Sequence, residues 1–272
     1  MNPAFLKASA MPDVQSTLDK RALPIEQVGI RGVRHPLTIR SKAGNFPSVG
    51  TFEMDVALPA HVKGTHMSRF MALLQKQEQA VDSATVVALV REMLPLLDAK
   101  EGHVQFTYTH FVKKAAPVSG VESLMDYEVT WMATAKQNAT GETTVELGLR
   151  AQVPVMSLCP CSKEISEFGA HNQRSHVTMT VVLDSATQMT VEDLVAAAES
   201  EASSELWGLL KRPDEKWVTE HSYSNPKFVE DLVRDVAGRL KAEQRIQSFV
   251  VEAENFESIH NHSAFARISH KK

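Results

Sequence analysis

Apolar and polar positions alternate over residues 51–58, where Phe52, Met54, Val56 and Leu58 share one face and Glu53 and Asp55 the other. That is the period of a half-buried strand. The run over 28–39 is also extended and is expected to pair with it. The period then lengthens. Met67, Phe70, Met71 and Leu74 fall at helical spacing, and after Asp82 and Ser83, both good N-caps, Val86, Val87, Val90, Met93, Leu94 and Leu97 continue it, which predicts two helices. Period two returns over 103–113, through Val104, Phe106 and Tyr108, and over 124–135, through Met125, Tyr127, Val129 and Trp131.

The second half repeats this order. Residues 143–155 alternate through Val145, Leu147 and Leu149, and residues 175–183 through Val177, Met179, Val181 and Leu183. Thr190 is expected to cap a helix carrying Leu194, Ala198, Ala202 and Leu206, with Asp193 completing a capping box. A further helix is predicted to start at Asn225, with Pro226 in its first position, and to bury Phe228, Leu232, Val236 and Leu240. Two strands close the chain, one through Phe249, Val251 and Ala253 and one over 264–268. The pattern is thus two tandem ββααββ units, 28–140 and 141–272, behind an N-terminal arm, 1–27. Strand pairs flanking helix pairs predict an α+β fold with antiparallel sheets and helices on one face.

Composition narrows the class. A chain of 272 residues that is 43% hydrophobic buries about three quarters of its unfolded surface, so it is expected to fold around a core. No apolar run approaches the ~20 residues of a spanning helix, so no membrane partner is expected. With 29 Lys and Arg against 33 Asp and Glu the net charge is −4; nucleic acid is not an expected partner, whereas a local basic pocket suits an anionic small molecule. Cys159 and Cys161, set against 11 histidines, stand too close together to staple distant segments. A reducing compartment follows, and the arm lacks the ~7 to 15-residue apolar stretch of a signal peptide, so a cytoplasmic location is expected.

The densest chemistry lies in SLCPCSKEISEFGAHNQRSH, residues 157–176, between two predicted strands. Cys159 is a candidate metal-ligating thiolate or nucleophile. A lone cysteine is more often a small buried hydrophobe, but Pro160 and the polar run after it read as a loop. Cys161 is weaker, because no C-x-x-C spacing exists and a structural zinc site needs four ligands. His171 is a candidate for orienting a leaving group or binding metal, whereas His176 falls in an alternating strand and reads as a strand histidine. Glu257, His260 and His262 form E-S-I-H-N-H. On a strand the two imidazoles point the same way, and joined to a thiolate and a carboxylate they suit Zn, Fe or Mn without selecting one. Glu230, in N-P-K-F-V-E-D, is explained by the dipole of the helix it opens; the functional alternative is an anchor for an amidine-like edge such as that of guanine. The turn K-G-T-H-M-S-R, with Lys63 and Arg69, suits a phosphate. No P-loop or dinucleotide fingerprint is present, which disfavours Walker-type hydrolysis and Rossmann redox chemistry.

The stretches GTHMSRF (64–70), SLCPCSK (157–163), GAHNQRSH (169–176), LLKRPDEK (209–216) and NPKFVED (225–231) resemble the prokaryotic GTP cyclohydrolase type IB family. The resemblance spans nearly the whole chain from about Val28. It implies the tunnelling fold, with two ββααββ units in tandem per subunit, and conversion of GTP and water to 7,8-dihydroneopterin triphosphate and formate. It also implies that Cys159 is the site thiolate and metal ligand, that His171 transfers protons or ligates, and that Glu230 anchors guanine. Glu215, Glu257, His260 and His262 are similar to positions at the family's metal site, with a divalent ion (Zn, Mn or Fe) as cofactor. Lys63, Arg69, Lys163 and Arg174 are candidates for the triphosphate, and sites between subunits of a homo-oligomer, a tetramer, are implied. Two other readings compete: a same-fold nitrile reductase using a nicotinamide cofactor, for which no E-x-K-x-x-K-type signature lies between the units, and a non-catalytic purine or metal-binding module.

Overall fold

The computed structural model describes residues 13–15, 17–184 and 188–272. The strands are β1 (Ile25–Ser41), β2 (Gly44–Leu58), β3 (Glu101–Ala115), β4 (Glu122–Gln137), β5 (Thr143–Leu158), β6 (Asn172–Leu183), β7 (Ile246–Asn255) and β8 (Ala264–Lys271). Between them lie α1 (Met67–Gln75), α2 (Ser83–Leu96), α3 (Pro160–Ile165), α4 (Val191–Glu199), α5 (Arg212–Ser224) and α6 (Val229–Ala242). The strands form one eight-stranded sheet whose spatial order is the chain order, with every neighbouring pair antiparallel. The expected α+β class is therefore present, and the two predicted sheets are one, joined where β4 pairs with β5 from Glu128↔Gln152 to Gln137↔Thr143.

One face of the sheet is covered and the other is open. On the covered face Leu147, Leu149, Ala151, Val153 and Val155 of β5 and Val177, Met179 and Val181 of β6 are fully buried. Leu194 and Ala198 of α4 and Leu232 and Val236 of α6 close over them. Each such valine, leucine or methionine side chain contributes about 1.5–3 kcal/mol relative to an exposed one. Asp82 and Thr190 are the N-caps of α2 and α4, the expected capping box of Thr190 with Asp193 is present, and Asp82 forms a second one with Thr85.

The helices of the second half depart from the predicted pattern. α4 ends at Glu199, so Ala202 is buried beyond it and Leu206 lies in the following segment. The last helix starts at Val229, not Asn225, and Phe228 stands at its N-cap with 41% of its surface exposed. The reason is local: the Asn225 amide donates to Ala202 O at 2.7 Å and Lys227 N donates to Leu158 O at 3.1 Å, which holds 225–227 as a connector. α5 escapes the periodic reading because its buried stripe is Asp214, Val218 and Ser222, two of them polar.

Polar contacts bind the first four strands to the helices that follow β6. In the turn after β1, Lys42 donates from its backbone to Glu192 at 2.9 Å and from Nζ to Asp193 at 2.7 Å. On β3, Lys114 Nζ donates to Glu199 and to Leu206 O, both at 2.8 Å, and pairs with Glu205. The Tyr127 hydroxyl donates to Glu199 at 3.0 Å. Asp214 is fully buried and accepts from Val118 N (2.9 Å), Ser119 N (2.8 Å), Ser119 Oγ (2.6 Å) and Lys211 N (2.8 Å). Burial alone raises a carboxyl's pKa, yet the bonds from Ser119, Lys211 and Val118 outweigh it and hold Asp214 below the usual carboxylate range.

Lys114→Ala leaves Glu199 without its cation, and breaking such a buried pair costs about 3–5 kcal/mol. Burial already pushes Glu199 above the usual carboxylate range, with Lys114 opposing. Without the lysine the folded chain binds more protons than the unfolded one, so stability falls as pH rises through the Glu199 pKa. Thermal unfolding is expected to show a larger deficit at pH 8 than at pH 5, and an equal deficit would place the cost in packing alone.

Candidate functional site

Because strand order follows chain order, the β5–β6 and β7–β8 connections emerge at the same end of the sheet. β5 runs to Leu158, whose N–H donates to Ser203 Oγ at 3.0 Å and whose carbonyl takes Lys227 N. The next residue, Cys159, donates its N–H to His171 O at 3.1 Å, which carries the β5–β6 ladder one step past the strands. Cys159 is extended (φ −69°, ψ 117°) and serves as N-cap of α3, with Pro160 beginning the helix. Its Sγ accepts from Ser162 N at 3.5 Å. Ser162 Oγ donates to Cys159 O at 3.1 Å and accepts from His171 N at 3.2 Å, so one hydroxyl ties thiol and imidazole backbones together. Gly169 at φ +120° turns the chain back between them, a conformation that L side chains rarely adopt.

The His171 ring is held at Nδ1, 3.2 Å from Gln173 Oε1 and 3.3 Å from Ser258 Oγ. Beneath it, Ser157 Oγ and Ser175 Oγ lie 2.6 Å apart and Ser175 Oγ donates to Asn255 Oδ1 at 2.7 Å, all three residues being buried. This triad pins β5, β6 and β7 in register under the rim. Phe256 N donates to Arg174 O at 3.0 Å, which brings the β7–β8 connection beside His171.

Glu257, His260 and His262 lie in that connection. A strand would point the two imidazoles the same way; here the chain bends, and their rings stack on each other at 5.1 Å and 15°. Glu230 is exposed in the first turn of α6, whose entry Lys227 N tethers to Leu158. Its neighbour Asp231 does the capping, accepting from Phe228 N at 3.2 Å, which leaves Glu230 out of that bond. In the same way Asp214 takes the capping bonds at the start of α5 while Glu215 is exposed. Among the described residues no three His, Cys, Asp or Glu side chains converge closely enough to hold one ion. Cys159 thus presents a soft donor, and the carboxylate and imidazole donors suited to a divalent ion stand apart from it.

The four candidate phosphate cations divide between the two ends of the sheet. Lys163 Nζ donates to Tyr223 O at 2.6 Å and lies 4.5 Å from that ring's centroid. Arg174 is exposed on the open face, cross-strand from Met156. Lys63 and Arg69 follow β2, whose end lies opposite the β5–β6 connection in the sheet. Arg69 is committed there, donating to Leu96 O at 3.0 Å. His176 faces the open side, edge-on to Phe256 at 4.8 Å, and its pKa is lowered by burial and by Arg174; it is the strand histidine that the alternation predicts. Ser162, Gln173 and Ser258 were not singled out from the sequence. For Gln173 the signal was available, since it stands two residues after His171 at the start of an alternating strand.

A family model described as type I GTP cyclohydrolase folE2 matches residues 11–266. The chain is 90% identical, over all 272 residues of both, to GTP cyclohydrolase FolE2 of Polynucleobacter asymbioticus. It is 58% identical over 272 residues, 100% of this chain and 97% of the relative, to the protein of the same name from Cupriavidus pinatubonensis. Among solved structures it is similar to a mutant urate oxidase from Bacillus sp. TB-90, with TM-score 0.56, 9% identity, and 91% and 100% of the two chains covered. The uricase of Arthrobacter globiformis gives TM-score 0.51 at 10% identity over 91% and 93%. That likeness carries the fold alone, and the fold is the tunnelling fold.

Two cysteine variants and one serine variant test the rim's geometry. Cys159→Ser keeps an N-cap acceptor and Cys161→Ala alters an exposed side chain, so each is expected within about 0.5 kcal/mol of the parent in urea unfolding. Ser162→Ala removes both bonds of the shared hydroxyl and is expected to cost about 1–2 kcal/mol. Thiol labelling is expected to modify Cys161 before Cys159.

Proposed function

The chain belongs to the type I GTP cyclohydrolase FolE2 family, enzymes of the first step of folate biosynthesis, and on that premise we propose that it opens the GTP imidazole ring at the rim of Cys159, His171 and Glu230. The products are 7,8-dihydroneopterin triphosphate and formate. The observation that supports this placement is the pair of backbone bonds, Cys159 N to His171 O and Lys227 N to Leu158 O, that sets thiol, imidazole and the entry of α6 on one edge.

Purine C8 needs a nucleophile available at neutral pH. Cys159 as soft donor, with Glu215, Glu257, His260 and His262 as further donor candidates that stand apart from it in the single chain, would hold a divalent ion (Zn, Mn or Fe), and such an ion would supply a nucleophile at that pH. His171 accepts a proton at the ring nitrogen facing the rim and passes it to the purine ring nitrogen that departs, N7 or N9. Glu230 accepts from N1–H and the 2-amino group of guanine. Adenine is rejected because it offers a lone pair at N1, which leaves the carboxylate facing an acceptor. Lys163 and Arg174 meet the triphosphate from the same chain, and Lys63 and Arg69 from a second copy, since one chain holds them at opposite ends. We read the assembly as a homo-oligomer, a tetramer, with sites between subunits, working in the cytoplasm. The family match favours neither the nitrile reductase nor the non-catalytic reading.

Anaerobic incubation with GTP and Mn(II) is expected to release formate and a pterin, fluorescent after oxidation, in equal amounts. Absence of both across several divalent metals overturns the proposal. Cys159→Ala is expected to reduce turnover below detection, while Cys161→Ala stays near the parent rate. Glu230→Gln turns an acceptor into a donor facing the guanine hydrogens; a charged hydrogen bond of about 1.5–3 kcal/mol corresponds to a rise of roughly 10 to 150-fold in KM for GTP.

A further inference from the structure

We propose that Gln173 is the positioning residue that holds the His171 ring in its Nδ1–H tautomer, so that Nε2 presents its lone pair at the rim; its link to turnover rests on the site placement given above. Gln173 is the second residue of β6, only 7% exposed, and cross-strand from the buried Ser157. The backbone of His171 is already fixed at both ends, its carbonyl by Cys159 N and its N–H by Ser162 Oγ. What remains is the direction and protonation of the ring. Both hydrogen bonds described for the ring involve Nδ1, with Gln173 Oε1 at 3.2 Å and with Ser258 Oγ at 3.3 Å.

An amide oxygen only accepts, so its approach to Nδ1 places the proton on that nitrogen. The Ser258 hydroxyl then serves as a second acceptor, and the two clamp the ring from β6 and from the β7–β8 connection. Nε2 of a neutral imidazole whose Nδ1 is protonated has a free lone pair, able to accept a proton or bind an ion. The amide achieves this without adding a negative charge beside His171. Its own orientation is held by burial at the start of a paired strand.

Selective 15N-histidine labelling and solid-state NMR of the full metal-free chain, with His171→Asn for assignment, reads the tautomer without reference to catalysis. The expected result is Nδ1–H in the parent and a shift toward Nε2–H in Gln173→Leu. In GTP turnover that variant is expected to lose 10 to 100-fold in kcat, the cost typical of removing an outer partner of a site histidine, with KM changed less than about threefold. Gln173→Glu, which keeps an acceptor at the same reach, is expected to restore most of both. Gln173→Met, of similar volume without an acceptor, replaces the leucine variant if that chain does not fold. An Nε2–H ring in the parent overturns the proposal, as does a leucine or methionine variant with unchanged tautomer and rate. If the parent releases no formate from GTP, the reaction reading fails, and the NMR comparison still decides the tautomer.

Discussion

One unbroken ladder of antiparallel backbone hydrogen bonds, from β1 through β8, sets what can meet in this protein. In a sheet whose spatial order is the chain order, alternate connections emerge at the same end. The connections after β1, β3, β5 and β7 share one end, and those after β2, β4 and β6 share the other. Cys159 and His171 lie in the connection after β5, and Ser258 lies in the connection after β7. Ser258 therefore reaches a ring 87 positions earlier in the chain. The same rule carries Lys63 and Arg69 to the far end.

The ladder supplies position to within one residue, and buried polar groups supply the rest. A slip of one residue would turn every side chain of a strand to the other face. Such a slip in β6 would take Ser175 away from Ser157 and Asn255, leaving buried hydroxyl and amide groups without partners, each costing about 1–3 kcal/mol. The triad under the rim therefore acts as a register lock directly below the chemistry. The contacts of Lys114, Glu199 and Tyr127 do comparable work farther along, fastening α4 against strands that precede it by some 70 to 85 positions.

Most of this was legible where burial is one-sided. Strands declared themselves by period two because their open face is polar and their covered face apolar, and α2 and α4 were announced by Asp82 and Thr190. α5 was silent because Asp214 and Ser222 occupy positions where an apolar stripe would normally be, their cost offset by hydrogen bonds that no periodicity encodes. The start of α6 was misplaced because Asn225 and Pro226 mimic a helix entry, while the bonds of Asn225 to Ala202 and of Lys227 to Leu158, which hold 225–227 outside the helix, come from residues distant in the chain. At the site, the residue types that carry chemistry were visible as motifs. The side chains that orient them were not, since Ser162, Gln173 and Ser258 are ordinary in composition and acquire a role only through geometry. The splitting of the phosphate cations between two ends is likewise a property of topology, which spacing along the chain does not express.

The buried carboxylate of Asp214 has a consequence in time. Its acceptor atoms satisfy the β3–β4 hairpin at Val118 and Ser119, 95 and 96 positions earlier. During synthesis that hairpin leaves the ribosome with two backbone N–H groups for which the finished fold has no other use. At about 5–20 residues per second, the partner arrives roughly 5 to 20 s later. Until then water serves those donors, and the first four strands exist with an unfinished edge at β4 and an uncovered Lys114. The final docking of α5 is thus a late event that closes the early half of the chain, and a translational pause before residue 214 would lengthen the interval during which that edge is open to a wrong partner.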